Sequence, residues 1–343
     1  MSTASAEASL AADGVSAASG AADGRAAAYW ALLKPRIALL VVLTTGLGYA
    51  LGVRFGGVAA WTWLGLVGSL IGTAASCMAA AAFNQAIEHR TDGLMRRTAK
   101  RPLPSGRLTR AEAYACGGVL ALLGQGLLCT CGTPLASLVA GVTIVLYAAV
   151  YTPLKRVTSW SVWVGAVPGA LPPVIGFAAA TAHPSWAAGG SDGGAYGLLP
   201  QSFGHLTAEA WLPFLLMFFW QVPHFLAIAF LYREDYAAAG MPMVPVLDQR
   251  VGSGRRPGRR TGRQALIGTA LLLMVGVVPF AMGVAGWVYL AVSTAAGVWF
   301  AWRAWRFVRG SDEASARSLF FASLVYLPVV LGALVLNPVG GGA

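Results

Sequence analysis

Asn84, Glu88 and Asp92 stand four residues apart in the polar stretch NQAIEHRTDGLMRRTAKRPLPSG, residues 84–106. On an α-helix that spacing turns each side chain only about 40° from the last, so the three stack along one face, about 6 Å per step. Seven cations follow or interleave with them before the next apolar run: Arg90, Arg96, Arg97, Lys100, Arg101, Arg107 and Arg110. Carboxylates beside guanidinium groups suit a diphosphate whose charge is bridged by Mg²⁺, a hard cation that takes carboxylate and phosphate oxygens. A loop that only sets membrane topology would also be basic, but it needs no regularly spaced acids.

A second cluster, Trp220-Gln221-Val222-Pro223-His224-Phe225, lies inside an apolar run that leads to Tyr232-Arg233-Glu234-Asp235-Tyr236. An ionisable group within a membrane helix marks a ligand site or a satisfied helix contact. Eleven residues separate His224 from Asp235, close to three turns, so an unbroken helix would put both on one face with Asp235 at its mouth. Between the two clusters, Tyr147 and Tyr151 precede Thr152-Pro153-Leu154-Lys155-Arg156. The two cations of that turn could set topology or reach a diphosphate held by the first ladder.

The elements that must position these groups are membrane helices. At 343 residues, 57% hydrophobic and 11% charged, the chain has too little charge for an ordinary soluble domain. Its 43 glycines fit close helix packing in lipid. A net charge of +11 could suggest nucleic acid, but the cations cluster at the ends of apolar runs and are not interleaved with aromatics on a soluble face, so no nucleic-acid partner is expected. About nine apolar spans are long enough to cross a bilayer, near residues 37–53, 62–83, 112–131, 133–151, 161–181, 211–231, 264–284, 286–302 and 318–337. Residues 1–28 read as a disordered tail without a signal peptide's apolar core or the Arg-rich, acid-poor composition of a transit peptide, which favours a bacterial inner membrane. Residues 338–343 form a short C-terminal tail. Residues 250–263 read as a flexible Arg-rich loop drawn to anionic lipid. Cys77, Cys116, Cys129 and Cys131 all fall in apolar segments and read as small buried hydrophobes, with Cys129-x-Cys131 as a metal or redox pair the less favoured reading.

The first stretch resembles the signature of the UbiA-type intramembrane prenyltransferases, with Asn84, Glu88, Asp92, Met95, Arg97, Thr98, Arg101 and Gly106 in matching positions. Within that family the nearer likeness is to the haem-farnesylating members. It rests on Lys34-Pro35-Arg36, Arg101-Pro102-Leu103-Pro104, Tyr151 through Arg156, Pro223-His224-Phe225, and Glu234-Asp235-Tyr236 through Gly240-Met241-Pro242-Met243. The resemblance implies an all-α membrane domain over residues 29–337 that transfers farnesyl from farnesyl diphosphate to the 2-vinyl group of haem B. It further implies Mg²⁺ on Glu88 and Asp92; Asn84, Glu88, Asp92 and Asp235 as catalytic residues; and Arg97, Arg101, Tyr151, Lys155, Arg156 and His224 at the substrates. Haem A synthase or a terminal oxidase is the assembly partner it suggests. Two departures stand out: position 88 is Glu where many members have Asp, and the second cluster lacks the repeated aspartates of quinone-type relatives. The alternatives are a prenyltransferase acting on a quinone or chlorophyllide, a haem chaperone, and a secondary transporter. A transporter would place its ionisable groups near the bilayer centre and not at span ends.

Orientation follows from charge. With the N-terminus in the cytoplasm, every Lys and Arg except Arg54 lies on the cytoplasmic side, 23 of the 24, as the positive-inside bias requires. Thiols introduced at positions 100 and 190, in a background with the native cysteines replaced, are therefore expected to react from opposite sides of the membrane. Labelling of both from one side would overturn the assignment.

Overall fold

A backbone crossing hydrocarbon must satisfy its own N–H and C=O groups, and this chain does so with helices. The computed structural model describes residues 24–56, 62–181, 206–250, 258–337 and 339. Helix α1 covers residues 24–33, so residues 24–28, assigned above to the tail, are helical. After Lys34 come α2 (Pro35–Phe55) and α3 (Trp63–Gly93), then α4 (Arg110–Gly132) and α5 (Pro134–Leu154). Helices α6 (Ser161–Ala170) and α7 (Pro172–Ala180) share one span interrupted at Leu171. They are followed by α8 (Trp211–Leu231) and two short helices, α9 (Arg233–Ala238) and α10 (Val244–Arg250). The chain ends with α11 (Arg259–Ala281), α12 (Trp287–Gly310) and α13 (Glu313–Leu336).

Among the described residues, eight stretches are long and apolar enough to cross a membrane. Helix α12 matches them in length, but its apolar part stops at Trp302, before Arg303, Arg306 and Arg309. The helices outrun the apolar spans at their polar ends. Helix α3 continues through the acidic ladder to Gly93, and α11 begins at Arg259, so residues 259–263 are helical and not part of a flexible loop. Each added residue gains a backbone hydrogen bond, so a helix runs on past the bilayer edge until something ends it. For α3 that is Thr98, whose hydroxyl donates to the Asp92 carbonyl at 2.8 Å. For α4 it is a capping box of Thr109 and Glu112 at the start. Residues 182–205 and 251–257 lie outside the described residues.

Two groups of helices face each other. One comprises α2 to α5 with α7; the other is α8 with α11, α12 and α13, and α6 packs against α8. The second group has an aromatic core, with Trp220, Tyr289, Phe300, Phe307 and Tyr326 all buried. The first is built on small residues, including Ala136, Ala140 and Ala178 to Ala180 around Tyr49. Leu39, Leu43, Leu122 and Phe321 are exposed on the outside, where lipid would cover them, and Trp63, Trp211 and Trp287 stand at helix starts, as interfacial aromatics do. Cys129 is likewise exposed rather than buried, because it sits on the outward side of the π-helical end of α4, and all four cysteines are free.

The closest approach is between α2 and α7. A Cβ at Gly48 would lie 1.9 Å from the Pro173 carbonyl oxygen, and one at Gly176 would lie 1.9 Å from that of Thr45. Both obstacles are backbone, which cannot turn aside. Gly176→Val is therefore expected to destabilise the bundle by about 3 kcal/mol or more, the upper range for overpacking, read as a lower Tm in detergent. Gly118→Val, where a Cβ meets nothing within 4 Å, should leave Tm unchanged.

Candidate active site

The acidic ladder is a single buried row. Asn84, Glu88 and Asp92 are 2%, 3% and 0% exposed, and Asn84 donates its amide to Glu88 Oε2 at 2.9 Å and to Thr152 Oγ1 at 3.0 Å. Buried carboxylates must be matched, and each has its own cation. Lys155 Nζ lies 2.7 Å from Glu88 Oε1, and Arg101 meets both oxygens of Asp92 at 2.8 and 2.7 Å. Burial opposes the Lys155 charge, but the Glu88 carboxylate outweighs it and holds the ammonium above the ordinary lysine value. Lys34, which the sequence marks only within the Lys34-Pro35-Arg36 motif, also belongs here: its Nζ donates to Asn84 Oδ1 at 3.5 Å. The signal for it was the Lys-Pro-Arg run, whose proline starts α2 and leaves Lys34 in a left-handed conformation, φ 50°.

Arg156 is placed differently from Lys155. Its guanidinium donates to the Ile87 carbonyl at 3.0 Å and to Thr91 Oγ1 at 3.4 Å, so it clamps the end of α5 to the backbone of α3 instead of facing the ladder. Tyr151 lies beneath Lys155, whose Nζ sits 4.6 Å from the ring centre.

The second acidic pair joins the first loop directly. Asp235 is 8% exposed and accepts the backbone N–H of Arg97 at 3.2 Å, while Glu234 pairs with Arg96 at 3.1 Å. The Arg97 guanidinium lies over the Tyr232 ring at 4.6 Å and donates to the Tyr236 hydroxyl at 3.4 Å. Met95 packs with Met241, Met243 and Val246 beneath these contacts. The helix carrying His224 does not continue to Asp235: it ends at Tyr232, φ −110° and ψ 26°, so the two residues do not share one helical face. Asp235 instead meets the loop after α3.

Between the helix groups lies a cavity of about 410 Å³, lined by Lys34, Tyr147, Tyr151, Trp220, His224 and Phe225 among mainly apolar neighbours. That is within the size range of small-molecule sites. His224 lies on its α8 wall, with Nδ1 2.7 Å from Ser323 Oγ and its ring near-parallel to those of Trp220 and Phe320. Ser323 has no sequence signal; it is one of three serines in α13. The arrangement is thus a cationic and acidic end beside an apolar chamber, and a histidine on the chamber wall.

As for a metal, no group of three or more His, Cys, Asp or Glu that could hold one occurs among the described residues. Mg²⁺ asks for less: one or two carboxylates, with substrate phosphates and water completing the shell. Glu88 and Asp92 supply two buried carboxylates one turn apart on one face, and a metal ion there would have to take oxygens that Lys155 and Arg101 now hold.

Residues 39–325 match the UbiA prenyltransferase family. Over 318 residues, 92% of this chain and 96% of the relative, the sequence is 39% identical to a protein of Opitutus terrae named protoheme IX farnesyltransferase. A protein of the same name from Solibacter usitatus is 38% identical over 91% of this chain and 99% of its own length. Among solved structures, a digeranylgeranylglyceryl phosphate synthase superposes with a TM-score of 0.68 at 14% identity, covering 91% of this chain and 98% of that one. A UbiA homologue from Archaeoglobus fulgidus bound to GPP and Mg²⁺ gives 0.54 at 18% identity, covering 90% and 99%. These structural likenesses speak for the fold.

The Lys155–Glu88 pair yields a stability test. Because its pKa is raised, Lys155 stabilises the fold fully below the ordinary value of 10.5 and loses that contribution only as pH climbs through the higher folded value. Lys155→Met should cost about 3 kcal/mol near neutral pH by stranding Glu88. Adding Glu88→Gln should recover part of the loss. Equal melting temperatures for the wild type and Lys155→Met would contradict the pairing.

Proposed function

The chain belongs to the UbiA prenyltransferase family, and from that premise we propose that it transfers farnesyl from farnesyl diphosphate to the 2-vinyl group of haem B, with addition of water, giving haem O and diphosphate. The supporting observation is the junction of the cation-matched ladder with an apolar cavity that has His224 on its wall. Diphosphate needs the first and a farnesyl chain the second; the flat apolar macrocycle of haem, with its one iron and its two propionates at one edge, suits a chamber lined by aromatics and one imidazole. The naming of relatives at 38% and 39% identity points to the same reaction.

The bond between C1 of the farnesyl chain and the diphosphate oxygen breaks, and the leaving group departs with the electron pair. Lys155, Arg101 and Lys34, the cations gathered at the ladder, would stabilise that developing negative charge. The vinyl π electrons of haem form the new bond to C1, and water captures the resulting cation and loses a proton. Glu88 and Asp92 would hold Mg²⁺, and Asn84 orients Glu88 through its amide. When bound, the ion would neutralise diphosphate charge in the ground and leaving states. Asp235 serves by fixing the Arg97 backbone, and with it the loop that carries Arg101. Arg97 lies at the mouth over Tyr232 and Tyr236, and Arg156 holds α5 in place. The setting is the inner membrane of a bacterium, and haem O would pass to haem A synthase or a terminal oxidase.

Expression in a host lacking haem O, followed by mass spectrometry of extracted haems, tests the reaction: the haem O mass should appear. Glu88→Gln and Asp92→Asn preserve volume but lose anionic oxygens, and each should lower haem O formation per mole of folded protein about a hundredfold or more. Wild-type turnover in either purified variant would remove the ladder from catalysis. A farnesylated quinone in place of haem O would reassign the acceptor.

A further inference from the structure

Ser323 makes three polar contacts around one side chain and its peptide. Its hydroxyl lies 2.5 Å from the Phe320 carbonyl oxygen and 2.7 Å from His224 Nδ1, and its own carbonyl accepts the Trp220 indole N–H at 2.7 Å. A hydroxyl has one hydrogen. The Phe320 carbonyl can only accept, so the Ser323 hydrogen goes there; otherwise two oxygen lone pairs would face each other at 2.5 Å. With its hydrogen committed, Ser323 Oγ can meet Nδ1 only as an acceptor. His224 is therefore the Nδ1–H tautomer, and Nε2 carries a lone pair. No hydrogen-bond partner for Nε2 occurs among the described residues, although His224 lines the cavity. Near-parallel stacking on Trp220 at 4.8 Å and Phe320 at 5.2 Å restrains rotation of the ring.

A histidine held by a hydrogen bond from one nitrogen, with the other free toward a cavity, is the arrangement of a metal-binding imidazole. We infer that His224 Nε2 is an axial ligand to the iron of the acceptor porphyrin and that Ser323 is the positioning residue that sets its tautomer and orientation. The inference rests on haem being the acceptor, as proposed above. A histidine serving structure alone would already be satisfied by Ser323, but nothing would then account for an unpartnered basic nitrogen on the wall of an apolar chamber. Ser323 is 0% exposed and so would not touch the porphyrin itself.

Resonance Raman spectra of the full-length protein in detergent, titrated with ferrous haem B, provide the test. The wild type should show an iron–histidine stretching band. Ser323→Ala, which keeps the backbone carbonyl that holds Trp220, should bind haem with that band moved to lower frequency, because Nδ1 loses its acceptor and the imidazole becomes a weaker donor. Ser323→Thr retains a hydroxyl and should restore the band toward its wild-type position. His224→Ala should lose the band, and added imidazole should bring it back. Stoichiometric haem binding without the band in the wild type would overturn iron ligation while leaving haem as acceptor. An unmoved band in Ser323→Ala would overturn the role of Ser323. Failure of the melting-competent wild type to bind haem would overturn this inference and the acceptor assignment together.

Discussion

A buried carboxylate at the edge of hydrocarbon stands only if an opposite charge meets it, and much of this bundle is arranged around two such meetings. Glu88 and Asp92 are almost fully enclosed, and either one stranded would cost several kcal/mol. Their partners come from separate segments: Lys155 from the end of α5, and Arg101 from the loop beyond α3. Lys34, between α1 and α2, closes on Asn84. Three chain segments must therefore converge on one face of α3. The backbone at Lys34 bears part of this constraint, since a left-handed conformation at a non-glycine residue costs about 1–3 kcal/mol. Pro35 fixes the following residue at a helix start, where a missing N–H does no harm, and so directs the Lys34 side chain inward.

The same logic ties the two polar loops into one cap. Asp235 binds a backbone N–H of the first loop, and Arg96 and Arg97 return to Glu234 and Tyr236. A backbone contact of this kind fixes loop conformation without depending on a flexible side chain. The methionine cluster below it adds soft, adaptable packing. Between exposed ion pairs, which contribute little, and the buried cluster, the buried part determines the loop's position, and hence where Arg101 stands.

The fold class was legible because helix geometry is local. Four-residue spacing did place Asn84, Glu88 and Asp92 in one row, and the lengths of apolar runs located the helices. Helix ends were misjudged wherever a helix continued into water, as at Gly93 and Arg259, since hydropathy reports the solvent and not the backbone. Pairings between distant segments were beyond local reading. Lys155 and Arg156 are adjacent and alike in charge, yet one meets a carboxylate and the other a helix backbone. The break at Tyr232 moved Asp235 away from the His224 face, and Ser323 had no pattern to mark it.

The chamber also separates stabilising a cation from quenching it. Two hydroxyls on its wall are already committed: Thr44 donates to the Val41 carbonyl at 2.9 Å and Thr143 to that of Val139 at 2.7 Å. Such groups show the chamber oxygen lone pairs and not protons. Tyr147, Tyr151, Trp220 and Phe225 add aromatic walls, whose π faces favour positive charge without forming a bond to it. In the proposed reaction the negative leaving group would meet ammonium and guanidinium groups at the polar end, while the allylic cation would meet aromatic faces. Opposite charges generated by one bond cleavage would thus be served by different surfaces, the cations of the polar end and the π faces of the chamber.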